Sequence, residues 1–235
     1  LHIAIDASCL TKEKAGIGFY LARLLQALDK LPGDERYTIL SNKPIPDLGL
    51  SERFSIEIKS IPSTTLWAQT YLRFRLKSLK PDAFHSASIG MPLAYRKPSM
   101  LTVHDLAFLH FPHQHQLTTR NAWRFIVPRL IQQCSHILTN SNFTRNELIH
   151  HLNVPEAKIT PTPLAADPIF QPISDREEIH RSREKHGLQR DYILTVGTLE
   201  PRKNIPFLMR CFASCVRENR VDGDLVIVGG EGWLY

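Results

Sequence analysis

The stretch DYILTVGTLEPRKNIPFLMRCFASCVRENRVDGDLVIVGG, residues 191–230, carries a strand pattern, a helix pattern and a second strand pattern in order. Ile193 to Val196 is an apolar run that stops at Gly197. Over 205–218, Ile205, Leu208, Met209, Phe212, Cys215 and Val216 recur at helical spacing and form one apolar face. DLVIVGG (224–230) is again a continuous apolar run, the pattern of a parallel strand covered on both faces. Between Gly197 and the helix stand Arg202 and Lys203, side by side, with Asn204 and Pro206 fitting a helix start. A helix start already carries partial positive charge, so two further cations are unfavourable there unless an anion joins them. The pair and the orphan N–H groups of the first turn suit a diphosphate; the alternative is a solvated basic loop.

The same alternation runs through the preceding chain. HIAIDAS (2–8), YTILSN (37–42), FSIEIKS (54–60), DAFHSAS (82–88), SMLTVHD (99–105), SHILTNS (135–141) and KITPTPL (158–164) read as strands. Gly16–Lys30, Thr65–Leu79 and about 117–134 read as helices, the last interrupted or kinked at Pro128. Thr144-x-x-Glu147 reads as a capping box for a helix through Leu152. Strands alternating with helices predict an α/β protein of two doubly wound parallel-sheet domains. The first is expected over 1–168 and a proline-marked connection with a polar helix at 175–187 over 169–190. The second occupies 191–235; two parallel strands are a poor independent fold, so it is expected to be truncated.

Composition narrows the class. At 43% hydrophobic and 22% charged residues the chain can bury a proper core. No apolar run approaches the roughly 20 residues of a membrane span, and no signal peptide opens the sequence. Cys9, Cys134, Cys211 and Cys215 form no C-x-x-C pair; Cys211 and Cys215 are expected to pack in the helix, with reduced thiols and a cytoplasmic location. Lys plus Arg against Asp plus Glu is 19 to 13 over 1–168 and 10 to 10 over 169–235. The excess therefore lies in the first domain and suits an anionic partner: phosphate groups, a membrane face or nucleic acid. Nucleic acid is disfavoured, because the basic residues lack interleaved aromatics.

In doubly wound sheets, ligands bind beyond the carboxyl ends of the strands. After the first strand, Gly16 and Gly18 open a helix, where backbone amides can approach a phosphate or sugar; a plain turn serves equally. His104 and Asp105 emerge from an apolar strand, and the histidine can bond a hydroxyl, act as acid or base, or simply cap the sheet. His110, His113 and His115 give an H-x-x-H-x-H pattern, an unspecific zinc signal. Arg73, Lys77 and Lys80 share a helix face, either solvated or in peripheral contact with an anionic membrane or a lipid-diphosphate acceptor. Asn142-Phe-Thr144 fits a glycosylation sequon and is read as a turn and cap.

VGTLEPRKNIPFLM followed by VIVGGEGWLY resembles the start of the donor domain in family-4 retaining glycosyltransferases of the GT-B fold. IAIDAS, GIGFYLARLLQAL, TVHDLAFLHFP, ILTNSNFTRNELIHHLNVPEAKI and TPLAAD resemble that family's acceptor domain in order and spacing. The resemblance implies two Rossmann-like domains and transfer of a hexose such as mannose, with anomeric retention, in surface polysaccharide or lipopolysaccharide synthesis. The donor is a nucleotide-diphosphate sugar acting as co-substrate, and the acceptor a saccharide or lipid-linked sugar.

By the same resemblance Gly16 and Gly18 lie near the donor phosphates and the acceptor. His104 contacts the donor sugar, and Gly197, Arg202 and Lys203 hold the diphosphate. Many members carry Gly-Arg where this chain has Gly197-Thr198, so Arg202 stands in for an absent arginine. The resemblance places that family's paired-glutamate E-x7-E motif further on than the last residue given, so residues 1–235 alone are expected to be inactive. With cations meeting the leaving diphosphate, no metal or other cofactor is expected. Asp105 is the acid near His104 and suits orientation better than nucleophilic attack. The alternatives are a non-catalytic nucleotide- or polyanion-binding module and a nucleotide-sugar epimerase of the same architecture.

Overall fold

A computed structural model describes residues 1–10, 16–110 and 117–232, and the side chains of these except 117–124. It divides into two compact units, Leu1–Leu164 and Ala165–Tyr235. The division falls four residues before the expected boundary, at the start of the proline-rich stretch rather than inside it.

The first unit is built on β1 (His2–Asp6), β2 (Arg36–Ser41), β3 (Phe54–Ile58), β4 (Ala83–Ser86), β5 (Ser99–Val103), β6 (His136–Thr139) and β7 (Ile159–Pro161). They form one parallel sheet in the order β3-β2-β1-β4-β5-β6-β7. The chain winds outward from β1 in one direction and, from β4, in the other, so the switch in winding lies between β1 and β4. Successive strand residues face opposite sides of the sheet. Ala4 and Leu40 accordingly pack in one core with Trp67, Leu72, Phe84 and Leu101. Ile5 and Ile39 pack in the other with Leu10, Leu21, Leu25 and Tyr37. Both faces are covered, which explains the unbroken apolar strands, and each buried large side chain contributes about 1.5–3 kcal/mol.

Helix α1 (Gly16–Lys30) has the expected bounds and buries Leu21 and Leu25, while Ile17 stays partly exposed at its start. The helix expected over 65–79 is not uniform. It consists of α2 (Thr64–Trp67), a π turn over Ala68–Leu72 and α3 (Arg73–Leu79), with Lys80 left-handed at the end. The π turn precedes Arg73, so Arg73 and Lys77 keep their i, i+4 relation on one face of α3, and Lys80 stands at its left-handed end. After the short α4 (Ala107–His110), α5 (Leu117–Gln133) runs continuously with Pro128 inside it.

Helix α6 (Asn142–Leu152) begins earlier than the capping box implied. Its N-cap is Ser141, whose Oγ accepts from the Thr144 amide at 3.1 Å. Thr144 therefore occupies the third helical position, and Glu147 is released from capping.

The second unit contains α7 (Arg176–Lys185), capped by Asp175, then β8 (Tyr192–Val196), α8 (Ile205–Arg217) and β9 (Asp224–Val228). β8 and β9 pair in parallel. Ile205 is buried, but Met209 and Val216 on the expected apolar face are half exposed and Cys211 is exposed. Two strands do not cover that face. Among the described residues no helix is long and apolar enough to cross a membrane.

Candidate functional site

The first unit's site is assembled at the carboxyl ends of β1, β4 and β5, beside the switch point. Asp6 closes β1 and Ser86 closes β4, and the two are register partners across the switch. Asp6 is fully buried; its Oδ1 accepts from the Ser8 amide at 2.9 Å and its Oδ2 from the Ser86 hydroxyl at 3.2 Å. Burial raises its pKa above the ordinary carboxylate value, opposed by those hydrogen bonds. The Gly90 amide donates to Ser86 Oγ, and a Cβ at Gly90 would stand 2.6 Å from Asp6 Oδ2. Glycine is required there by close approach.

Directly beyond β5, the His104 ring is half-buried. Its Nε2 bonds the carbonyl oxygen of Ala87 at 2.9 Å. A carbonyl only accepts, so the proton is on Nε2, and Nδ1 of the neutral ring is left as an acceptor. Tyr20 from α1 meets the ring edge-on at 4.9 Å, and the Thr144 hydroxyl of α6 donates to the His104 carbonyl at 3.2 Å. Burial lowers the His104 pKa, more than the Ala87 bond and the Asp105 charge raise it. Asp105 is exposed and accepts from the Ala107 amide at 3.0 Å, in a turn just ahead of α4.

A cleft of about 390 Å³ opens here, bordered by Ile17, Gln69, Ser88, Gly90, His104 and Asp105 among others. Gln69 from the π turn accepts from the Leu93 amide at 3.0 Å and so steadies the loop that forms one wall. Gly18 is buried in α1, whereas Gly16 is exposed with open space where a Cβ would be.

The second unit carries the other group of expected residues. Pro201–Lys203 forms a 3-10 turn before α8. Asn204 sits at the helix start but is left-handed, with φ 51°, and its side chain makes no cap bond, contrary to expectation. Arg202 is not a bare cation either: its Nη2 donates to Glu200 at 2.5 Å, and the Glu200 side chain is 3% exposed. Lys203 folds back over Gly197, its Cε 3.4 Å from where a Cβ at Gly197 would stand. The loops after β8 and β9 are hydrogen-bonded, Leu199 amide to Gly230 carbonyl at 2.9 Å and Gly232 amide to Leu199 carbonyl at 3.0 Å. A Cβ at Gly229 would meet the Gly197 carbonyl oxygen at 1.9 Å. Gly229 is thus needed for the two strand ends to lie together, whereas a Cβ at Gly230 would meet open space.

Sequence reasoning named His104, Asp105 and the basic pair but missed Asp6, Ser86, Gly90, Tyr20 and Glu200. Asp6 had the same signal as V-H-D, an acid closing an apolar strand. Of the histidine run, His110 meets Glu147 and His151 of α6, while His113 and His115 lie outside the described residues.

Residues 15–168 match the family model of Glycosyltransferase Family 4. The chain belongs to that family. It is similar to O-antigen chain mannosyltransferase B of Escherichia coli, 27% identical over 158 residues, covering 67% of this chain and 41% of the relative. Among solved structures, Anabaena HepE in complex with UDP and glucose superposes with a TM-score of 0.69 at 14% identity, covering 99% of this chain and 61% of that one. WaaG, a glycosyltransferase involved in lipopolysaccharide biosynthesis, gives 0.65 at 14% identity, covering 96% and 62%. These likenesses show the fold, which is GT-B. The family-4 chain spans about two fifths of its curated relative's length and about three fifths of the two solved chains.

Proposed function

We propose that this family-4 protein is a retaining hexosyltransferase. It moves a hexose, mannose being the first candidate, from a nucleotide-diphosphate sugar to a saccharide or lipid-linked acceptor in surface polysaccharide synthesis. The observation that carries this reading is the His104 ring, held through Nε2 by the Ala87 carbonyl beside the switch-point cleft of the unit that matches the family. Mannose is supported by the O-antigen mannosyltransferase relative, and a uridine-type donor by the UDP held in HepE.

In this reading the C1–O bond of the donor breaks as the acceptor hydroxyl oxygen bonds to C1 on the same face; the leaving diphosphate takes the bonding electron pair, gains negative charge and accepts the proton that the hydroxyl gives up. Lys203, Arg202 and the amides of the Gly197 loop meet that charge, which grows toward the transition state and so is stabilised most there. His104 orients the donor sugar through Nδ1, accepting from a hydroxyl. Asp105 acts as a positioning residue: by accepting from the Ala107 amide it holds the turn that follows His104. Exposed Arg73, Lys77 and Phe74 offer a basic and apolar edge for peripheral contact with the anionic membrane that carries a lipid-linked acceptor. The family and its relatives are transferases, which favours transfer over the binding-module and epimerase readings.

The test is an assay of the full-length protein with UDP- and GDP-hexoses and saccharide acceptors, with the anomeric configuration of the product read by NMR. Transfer with retention supports the reading. Donor binding without transfer or hydrolysis favours the binding module, and an epimerised donor without acceptor favours the isomerase.

A further inference from the structure

A second constellation lies where α4 meets α6. Glu147 and His151 are four residues apart on α6, so both project from one helix face. His110, the last residue of α4, reaches the same point from the opposite element. Its Nε2 contacts Glu147 Oε2, while His151 Nε2 lies 3.4 Å from Glu147 Oε1. The two imidazole rings stand edge-on with centroids 5.6 Å apart. One ligand atom from each of the three residues lies within 4.8 Å of the other two. Two imidazoles and one carboxylate are the donor set that suits a borderline divalent transition metal, bound at about 2.0–2.2 Å and leaving further positions for water. Donors around such an ion stand a little over 3 Å apart, so a small rotation of the two exposed imidazoles about the partly buried Glu147 completes the site.

We propose that His110, Glu147 and His151 bind a zinc-class divalent cation, with water completing the coordination. The ion would tie α4 to α6. α4 starts two residues after Asp105, and α6 holds the His104 carbonyl through Thr144, so both elements abut the wall of the cleft. The site is separate from the cleft lining and takes no part in the sugar-transfer chemistry; its role is to fasten the segment that carries His104. A plain His-Glu hydrogen bond is the competing description, and it predicts no metal affinity.

Metal-free full chain is titrated with ZnCl₂ by calorimetry and with CoCl₂ by visible absorption. His110→Gln, His151→Gln and Glu147→Gln are tested beside it, after metal-free melting shows each is folded. The proposal expects one equivalent of Zn²⁺, cobalt d–d bands, and a fall in affinity of at least about tenfold in each variant, since even second-layer changes cost that much. It also expects Zn²⁺ to slow amide exchange over 104–110 and 142–152 in the parent chain alone. Absence of stoichiometric binding, or binding equally tight in the three variants, overturns it. The glutamine replacements keep polarity and most of the volume. Each variant therefore reads the lost ligand rather than a lost helix.

Discussion

The Nε2–H of His104 donates to the Ala87 carbonyl at 2.9 Å, so the loop leaving β4 decides the tautomer of the ring that follows β5. That single bond links two neighbouring strand ends at the place where doubly wound sheets bind ligands. Tyr20 and Thr144 complete the setting from α1 and α6, and the ring is positioned by three elements besides its own.

Gly90 is fixed by close approach to Asp6. Gly90→Ala would press a methyl onto Asp6 Oδ2, and overpacking of this kind costs about 1–3 kcal/mol. Urea denaturation should show a lower midpoint with an unchanged slope. A variant as stable as the parent would show that the loop relaxes freely.

The corrected helix cap gives a second expectation. Ser141→Ala removes the acceptor for the Thr144 amide and should destabilise by about 1 kcal/mol. Thr144→Val leaves that cap intact but removes the bond to the His104 carbonyl, so it should lower activity more than stability. Thermal melts and turnover of the two variants, compared side by side, check the division.

His85 makes stability depend on pH. It is buried against Thr102, and burial, with a smaller contribution from the His104 charge, pushes its pKa from 6.5 down to about 4. Between those values the unfolded chain takes up a proton that the folded chain refuses. Stability therefore falls as pH drops from 6.5 toward 4, by about 3 kcal/mol in the limit, and His104 adds in the same direction. Asp6 acts with opposite sign, because its raised pKa makes the folded form hold a proton more tightly. Comparing parent and His85→Gln in denaturant from pH 7 to 4.5 isolates the histidine: the variant's stability should decline less steeply.

The basic pair should be unequal. Arg202 already donates to the nearly buried Glu200, whereas no ion pair to Lys203 occurs among the described residues. Lys203→Ala should weaken nucleoside diphosphate binding by roughly tenfold or more, the scale of one charged hydrogen bond. Arg202→Ala should cost less. Calorimetric titration with UDP and GDP decides the order, and equal losses would mean that Glu200 releases Arg202 on binding.

Where the sequence spoke clearly, it did so through periodicity. The bounds of α1 and the continuous apolar strands were legible because both sheet faces are covered. The π turn at Ala68–Leu72 was not, since it keeps an apolar pattern and changes only the hydrogen-bond spacing. Thr144-x-x-Glu147 satisfied the capping rule, yet Ser141 is an equally good cap three residues earlier, and Glu147 is drawn to His110 and His151. His104 was found because it closes an apolar strand. Asp6 escaped notice because its importance comes from burial beside β4, a relation between residues 80 apart. Arg202 showed as a charge, but its pairing with Glu200 depends on how the 3-10 turn folds back.

The most direct measurement is turnover of nucleotide-sugar by the full-length protein carrying His104→Ala against its parent, with folding verified by amide exchange. If His104 orients the donor sugar in the cleft, turnover should fall about a hundredfold or more, and if the Gly197 loop holds the diphosphate, diphosphate affinity should change little. Parent-like turnover in a folded His104→Ala protein would contradict the account.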